Sequence, residues 1–252
     1  MESSKGLMDS IFSSIGRKLA RYLSKPLPGY ERFSALSQQQ LEITLQPCDL
    51  LLVEGNSRIS TAIKYLTQST WSHVCIYMGD LGGLNPLLEA DVVDGVRCVP
   101  LSKYDGYNVR ICRPVNLVEE DKQRLLNYAI ERIGQQYDTK NIVDLMRYLF
   151  PTPPVPQSFR RTLIAFGSGD PTKAICSTLV AQAFQSIKYP ILPRAAEAGL
   201  SQMGVPNEQT VMKQRHYSHF TPRDFDLSPY FQIVKPTIEA NFDYQKMKWL
   251  DE

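Results

Sequence analysis

Nowhere does the chain hold an apolar run near the ~20 residues that cross a bilayer. Its start also lacks the apolar stretch and small-residue cleavage site of a secretory signal. The protein is therefore expected in the cytoplasm, meeting a membrane only peripherally if at all. Charge of one sign is scarce as well: 28 basic against 26 acidic residues leave +2. With no basic block and no zinc-finger spacing, no nucleic-acid partner is expected. Histidine is rare, with only His73, His216 and His219, so no structural zinc site is expected and no cofactor motif is present. The five cysteines (Cys48, Cys75, Cys98, Cys112, Cys176) are odd in number and dispersed without C-x-x-C spacing. That pattern reads as reduced thiols, not a disulfide frame.

What is present is a core. Hydrophobic residues make up 43% and charged ones 21% of 252 residues, which fits one large soluble domain or two small ones. Residues 7–23 repeat apolar side chains every three or four positions (Leu7, Ile11, Phe12, Ile15, Leu19, Leu23) among Lys5, Arg17, Lys18, Arg21 and Lys25. Such a basic amphipathic helix either lies at a membrane surface or packs on the domain. Prolines and Gly29 in the stretch 24–29 end it. The division expected is 1–40 for this helix and linker and 41–252 for the main domain, with a proline-rich insertion at about 150–170.

Within the main domain, Pro47–Val53 reads as a buried strand and Ser57 as the cap of a short helix. Trp71–Gly79 is rich in strand formers. Its alternation puts His73 with Trp71, Cys75 and Tyr77 on one face, and Ser72, Val74, Ile76 and Met78 on the other. Leu87–Val93, Asp94–Val99 and Tyr107–Arg113 continue an antiparallel sheet. Val118–Ile133 is helical and stops at Gly134. Residues 175–187 form an amphipathic helix after the loop Gly167–Pro171, and Phe231–Val234 is a closing strand.

Cys176 stands at the opening of that late helix. Unpaired N–H groups and the positive dipole end there favour thiolate and offer donors to an oxyanion. Taken alone, the same position reads more readily as a buried core thiol than as a nucleophile. Glu89, flanked by Leu88 and Ala90, needs a partner if buried, and His73 on the adjacent strand is the natural one. Asp91, on the same face, competes for that role. A thiol beside an imidazole whose second nitrogen meets a carboxylate is the arrangement of a cysteine nucleophile.

The motifs Trp71-Ser72-His73-Val74, Leu88-Glu89-Ala90, Gly134-Gln135-Gln136-Tyr137-Asp138 and Cys176-Ser177-Thr178-Leu179-Val180-Ala181, in this order, resemble the YiiX/YebB-like permuted papain-fold hydrolases of the NlpC-type superfamily, with the lecithin–retinol acyltransferases as cousins. The resemblance spans roughly residues 45–235. It implies an α+β fold in which an antiparallel sheet or barrel packs against helices, one of them carrying the cysteine. It also implies Cys176 as nucleophile, His73 as base and then acid, and Glu89 orienting His73. Tyr137 is a candidate for the oxyanion or substrate. Cys48 stands where the family often has glycine, and the insertion before Cys176 is long. The activity implied is a thiol hydrolase acting on a peptide or lipid substrate, by amide or ester cleavage. An acyltransferase using the same site and an inactive binding or membrane-interaction module are the alternatives. The basic N-terminal helix and residues 159–166 point toward membrane-associated substrates.

Overall fold

The computed structural model describes residues 21–27, 34, 36–136, 175–192, 194–195, 212–240, 243 and 245. Tyr137, the stretch 141–166 and residues 7–20 lie outside these, and with them the oxyanion candidate, the insertion and most of the N-terminal repeat.

A six-stranded antiparallel sheet, in the order β4-β3-β2-β1-β5-β8, carries the fold. Its strands are β1 (Leu50–Val53), β2 (His73–Tyr77), β3 (Leu87–Asp91), β4 (Gly95–Val99), β5 (Val109–Pro114) and β8 (Phe231–Val234). A separate pair, β6 (Arg194–Ala195) and β7 (Met212–Lys213), lies between α4 and β8 in the chain. The helices that matter are α1 (Gln38–Thr44), α2 (Arg58–Thr67), α3 (Glu119–Ile130) and α4 (Ile175–Ser186). The fold is α+β, as expected from the order of strand-like and helix-like segments.

Local chemistry sets the boundaries. Ser37 and Gln40 form a reciprocal capping box that starts α1. Ser57 Oγ accepts from the Ser60 amide and starts α2. Asp91 Oδ1 accepts from the amides of Val93 and Asp94 at 2.7 and 3.1 Å, and Gly95 follows at φ +75°, so the chain reverses tightly from β3 into β4. Asp91 is thereby committed to a turn.

Strand alternation splits the core in two. Leu50, Leu52, Val74, Ile76, Leu88 and Ala90 pack with Leu125, Leu126 and Ala129 of α3 and Leu179, Val180 and Phe184 of α4. Leu51, Val53, Cys75, Leu87, Val99 and Ile111 pack on the opposite face with Leu41 of α1 and with Leu101 and Tyr104. Trp71 departs from the alternation read from the sequence, because it packs in the α3–α4 layer with Val74 and Ile76. Regular extension begins only at His73, and Ser72 is turned aside by its hydrogen bonds to Val53 and Gly55. Period two has no force outside the strand.

The end of the N-terminal repeat is fastened to the domain. Leu23 is 2% exposed, Arg58 lies over the Tyr22 ring at 4.5 Å, and the Leu27 amide donates to the Asn56 carbonyl. Leu23 is therefore unavailable to a membrane surface. No helix among the described residues is long and apolar enough to cross one.

Candidate active site

His73 is the first residue of β2, and Glu89 is the middle residue of β3 on its other side from β1. His73 Nε2 lies 3.2 Å from Glu89 Oε2. An ionised carboxylate accepts and cannot donate, so Nε2 carries the proton of this bond and Nδ1 is left for another partner. The sequence left Glu89 and Asp91 as competitors; the hydrogen bond goes to Glu89.

Glu89 is buried without a trace of side-chain exposure. Such a carboxylate survives only with partners, and it has four. Arg97, directly opposite across the β3–β4 pair, donates Nε to Oε1 at 3.0 Å. Lys103 Nζ also donates to Oε1, and the Tyr104 hydroxyl joins His73 in donating to Oε2. Burial pushes the Glu89 pKa up. The hydrogen bond and charge of His73, followed by those of Lys103, more than reverse it and hold the carboxyl well below the usual range. Tyr104 stays a neutral donor, since burial and the negative charge on Cys75 and Glu89 raise its pKa well above 10.

Cys176 lies in the first turn of α4 and is 4% exposed. Ser177 beside it is anchored by donating Oγ to the Phe220 carbonyl at 2.6 Å. Although α4 covers the face of the sheet opposite to that of Cys75 and Glu89, the Cys176 sulfur interacts electrostatically with the His73 ring. His73 is thus where the two layers meet. Its ring also interacts with Cys75, two residues along the same strand face. Burial works against a proton on His73. The electrostatic interaction of the ring with the Cys75 and Cys176 sulfurs outweighs that and holds its pKa well above the usual 6.5. The side chain is 20% exposed, so a reactant reaches the ring from solvent.

Of the residues singled out from sequence, Cys176, His73 and Glu89 come together, while Tyr137 lies outside the described residues. His216 and His219 are exposed. Three neighbours escaped the sequence reading, Arg97, Lys103 and Tyr104, while Cys75 was placed on the face of His73 without a role. The signal for Arg97 was present, because a tight Asp91–Gly95 turn fixes the register that places it opposite Glu89. Lys103 and Tyr104 sit in a short 3₁₀ helix, Leu101–Tyr104, within a segment that reads as mere connection.

Residues 44–151 match the family described as permuted papain-like amidase enzyme, YaeF/YiiX, C92 family. That segment runs from the end of α1 past α3 and contains His73 and Glu89. No curated protein matches the chain. Among solved structures, the crystal structure of metalloprotein YiiX from Escherichia coli O157:H7 aligns with a TM-score of 0.44 at 20% identity, covering 75% of this chain and 96% of that one.

Proposed function

We infer, from the match of residues 44–151 to the permuted papain-like amidase family and from the site's geometry, a thiol amidase with Cys176 as nucleophile, His73 as proton carrier and Glu89 as the group that orients it. The observation carrying this reading is the 3.2 Å bond from His73 Nε2 to Glu89 Oε2. It commits one ring nitrogen to the carboxylate and leaves the other for the sulfur of Cys176.

The chemistry follows from the residues. The Cys176 thiolate adds to an amide carbonyl, and the oxyanion formed is held by backbone N–H groups of the first turn of α4, that of Cys176 among them. His73 gives the Nδ1 proton to the leaving amine as the C–N bond breaks, leaving a thioester on Cys176. Neutral His73 then takes a proton from water, whose oxygen adds to the thioester. Collapse expels the sulfur and releases the acid. Throughout, Glu89 keeps the ring in one tautomer and orientation, while Arg97, Lys103 and Tyr104 keep Glu89 ionised.

An amide is the bond named by the family description. A lipid ester is the narrower reading carried by residues 7–23 and 159–166. A panel of acyl amides and lipid esters tests both. Amide turnover that Cys176→Ala and His73→Ala each reduce at least a hundredfold supports the assignment, and undiminished turnover in either variant overturns it. Adding a competing amine separates hydrolysis from acyl transfer, since a transferase diverts the acyl group to the amine. A peripheral membrane role predicts co-sedimentation with vesicles by the full chain, lost on removal of residues 1–28.

A further inference from the structure

Cys75 has no part in the chemistry above, yet it is wholly buried against the site. Its sulfur, a ring nitrogen of His73 and a carboxylate oxygen of Glu89 all lie within 4.8 Å of one another. We propose that these three side chains form a zinc site, with His73 Nε2, Cys75 Sγ and Glu89 Oε2 as ligands, and that zinc there shuts the enzyme off.

The donor set fits the ion: one imidazole, one thiolate and one carboxylate suit a borderline-soft, tetrahedral cation. Geometry fits too. Bonds of about 2.0–2.2 Å give a tetrahedral edge of about 3.3–3.5 Å between nitrogen and oxygen ligands, and Nε2 to Oε2 is already 3.2 Å. The sulfur has to close by about an ångström to reach its own bond of about 2.3 Å. Three protein ligands leave a fourth position for water from the exposed edge of His73. Charge is the opposing force, because Arg97 and Lys103 both lie on Glu89. Both, however, hold Oε1. Among the described residues, Oε2 receives only His73 and the neutral Tyr104 hydroxyl, and the metal replaces the first of these.

Zinc takes Cys75 as the thiolate and Nε2 without its proton, so binding is coupled to proton release. The Nδ1 proton stays. Zinc on Nε2 and Oε2 removes the carboxylate from the ring and pins the ring to the metal, so His73 no longer carries protons for Cys176. The binding site stands without the amidase reading; only the inhibition rests on it.

The test uses the full chain, stripped with chelator and reduced, titrated anaerobically with Co²⁺ as the spectroscopic stand-in for Zn²⁺. A thiolate-to-cobalt charge-transfer band in the near ultraviolet, saturating at one equivalent and bleached by Zn²⁺, is expected. Cys176→Ala retains the band. Cys75→Ser and Cys75→Ala, each confirmed folded by near-ultraviolet circular dichroism, lose it. Competition with a chromophoric chelator shows Zn²⁺ affinity at least tenfold weaker in Cys75→Ser and in Glu89→Gln. A band absent from the wild type, lost in Cys176→Ala, or kept in both Cys75 variants overturns the proposal. If the metal binds as described but no protein turns over any amide, the site stands and the amidase reading falls.

Discussion

Glu89 and Arg97 face each other directly across the β3–β4 pair, and the guanidinium Nε donates to Oε1 at 3.0 Å. That pairing leaves the second oxygen for His73. A single buried carboxylate therefore ties the β4 edge and the Leu101–Tyr104 turn to the ring that meets Cys176.

Glu89→Gln is expected to destabilise the protein by about 2 kcal/mol in urea denaturation. This falls below the ~3–5 of a fully buried pair, because Lys103 and Arg97 are about a third exposed and screened by water. The pH dependence has a definite sign. A carboxyl whose folded pKa is depressed contributes stability above its ordinary value of 4.5 and loses it as pH falls through the folded value. Denaturation between pH 3 and 6 should show a steeper acid loss in the wild type than in Glu89→Gln.

His73 behaves in the opposite sense. Its folded pKa lies above 6.5, so its stabilising contribution is complete below 6.5 and is lost as pH rises through the folded value. The stability difference between wild type and His73→Ala should therefore shrink in alkali. Peptide mapping after iodoacetamide at pH 7 should also show Cys176 modified at least tenfold more slowly in His73→Ala. Cys48 and Cys112, whose thiols burial pushes up to about 12, should stay unmodified in the folded protein.

Cys48 adopts φ +73°, a left-handed conformation that costs a non-glycine residue about 1 kcal/mol or more. Cys48→Val, adding a β-branch at the same torsion, should lose about 2–3 kcal/mol in urea denaturation. Cys48→Gly relieves the backbone but gives up a fully buried side chain. The two effects should leave it within about 1 kcal/mol of wild type.

Gly95 combines φ +75° with a close approach, since a Cβ there would lie 2.3 Å from the Gln135 carbonyl oxygen. The Val96 amide bonds that same oxygen, and the Gly134 amide bonds Val96. Gly95→Ala must break this link between the β3–β4 hairpin and the exit of α3. A loss of about 2–3 kcal/mol is expected, visible as a fall in Tm of roughly 4–12 °C.

Much of this was legible in the residues. Leu50–Val53, His73–Tyr77 and Phe231–Val234 are runs of strand formers, and the helix over 119–130 shows its period and its stop at Gly134. The joint presence of His73, Glu89 and Cys176 followed from their order and from the resemblance. The rest depended on tertiary placement. Trp71 crossed to the other layer because the strand begins two residues later, which no local pattern reveals. Lys103 and Tyr104 lie in a segment without periodicity, and only the pairing of β3 with β4 and the fold of the Leu101–Tyr104 turn bring them to Glu89. Cys75 shares the strand face with His73, as alternation predicts. The convergence of its sulfur with Glu89 needed the neighbouring strand.

The Leu23 side chain inside the domain, with the Pro26–Ser57 bridge and the Leu27–Asn56 hydrogen bond just after it, has a practical corollary. Residues 21–27 behave as a strap across the start of α2, next to the turn that Gly55 and Ser72 hold together at the head of β2. A chain begun at residue 41 would lose that strap and uncover the surface that Leu23 fills at the start of α2.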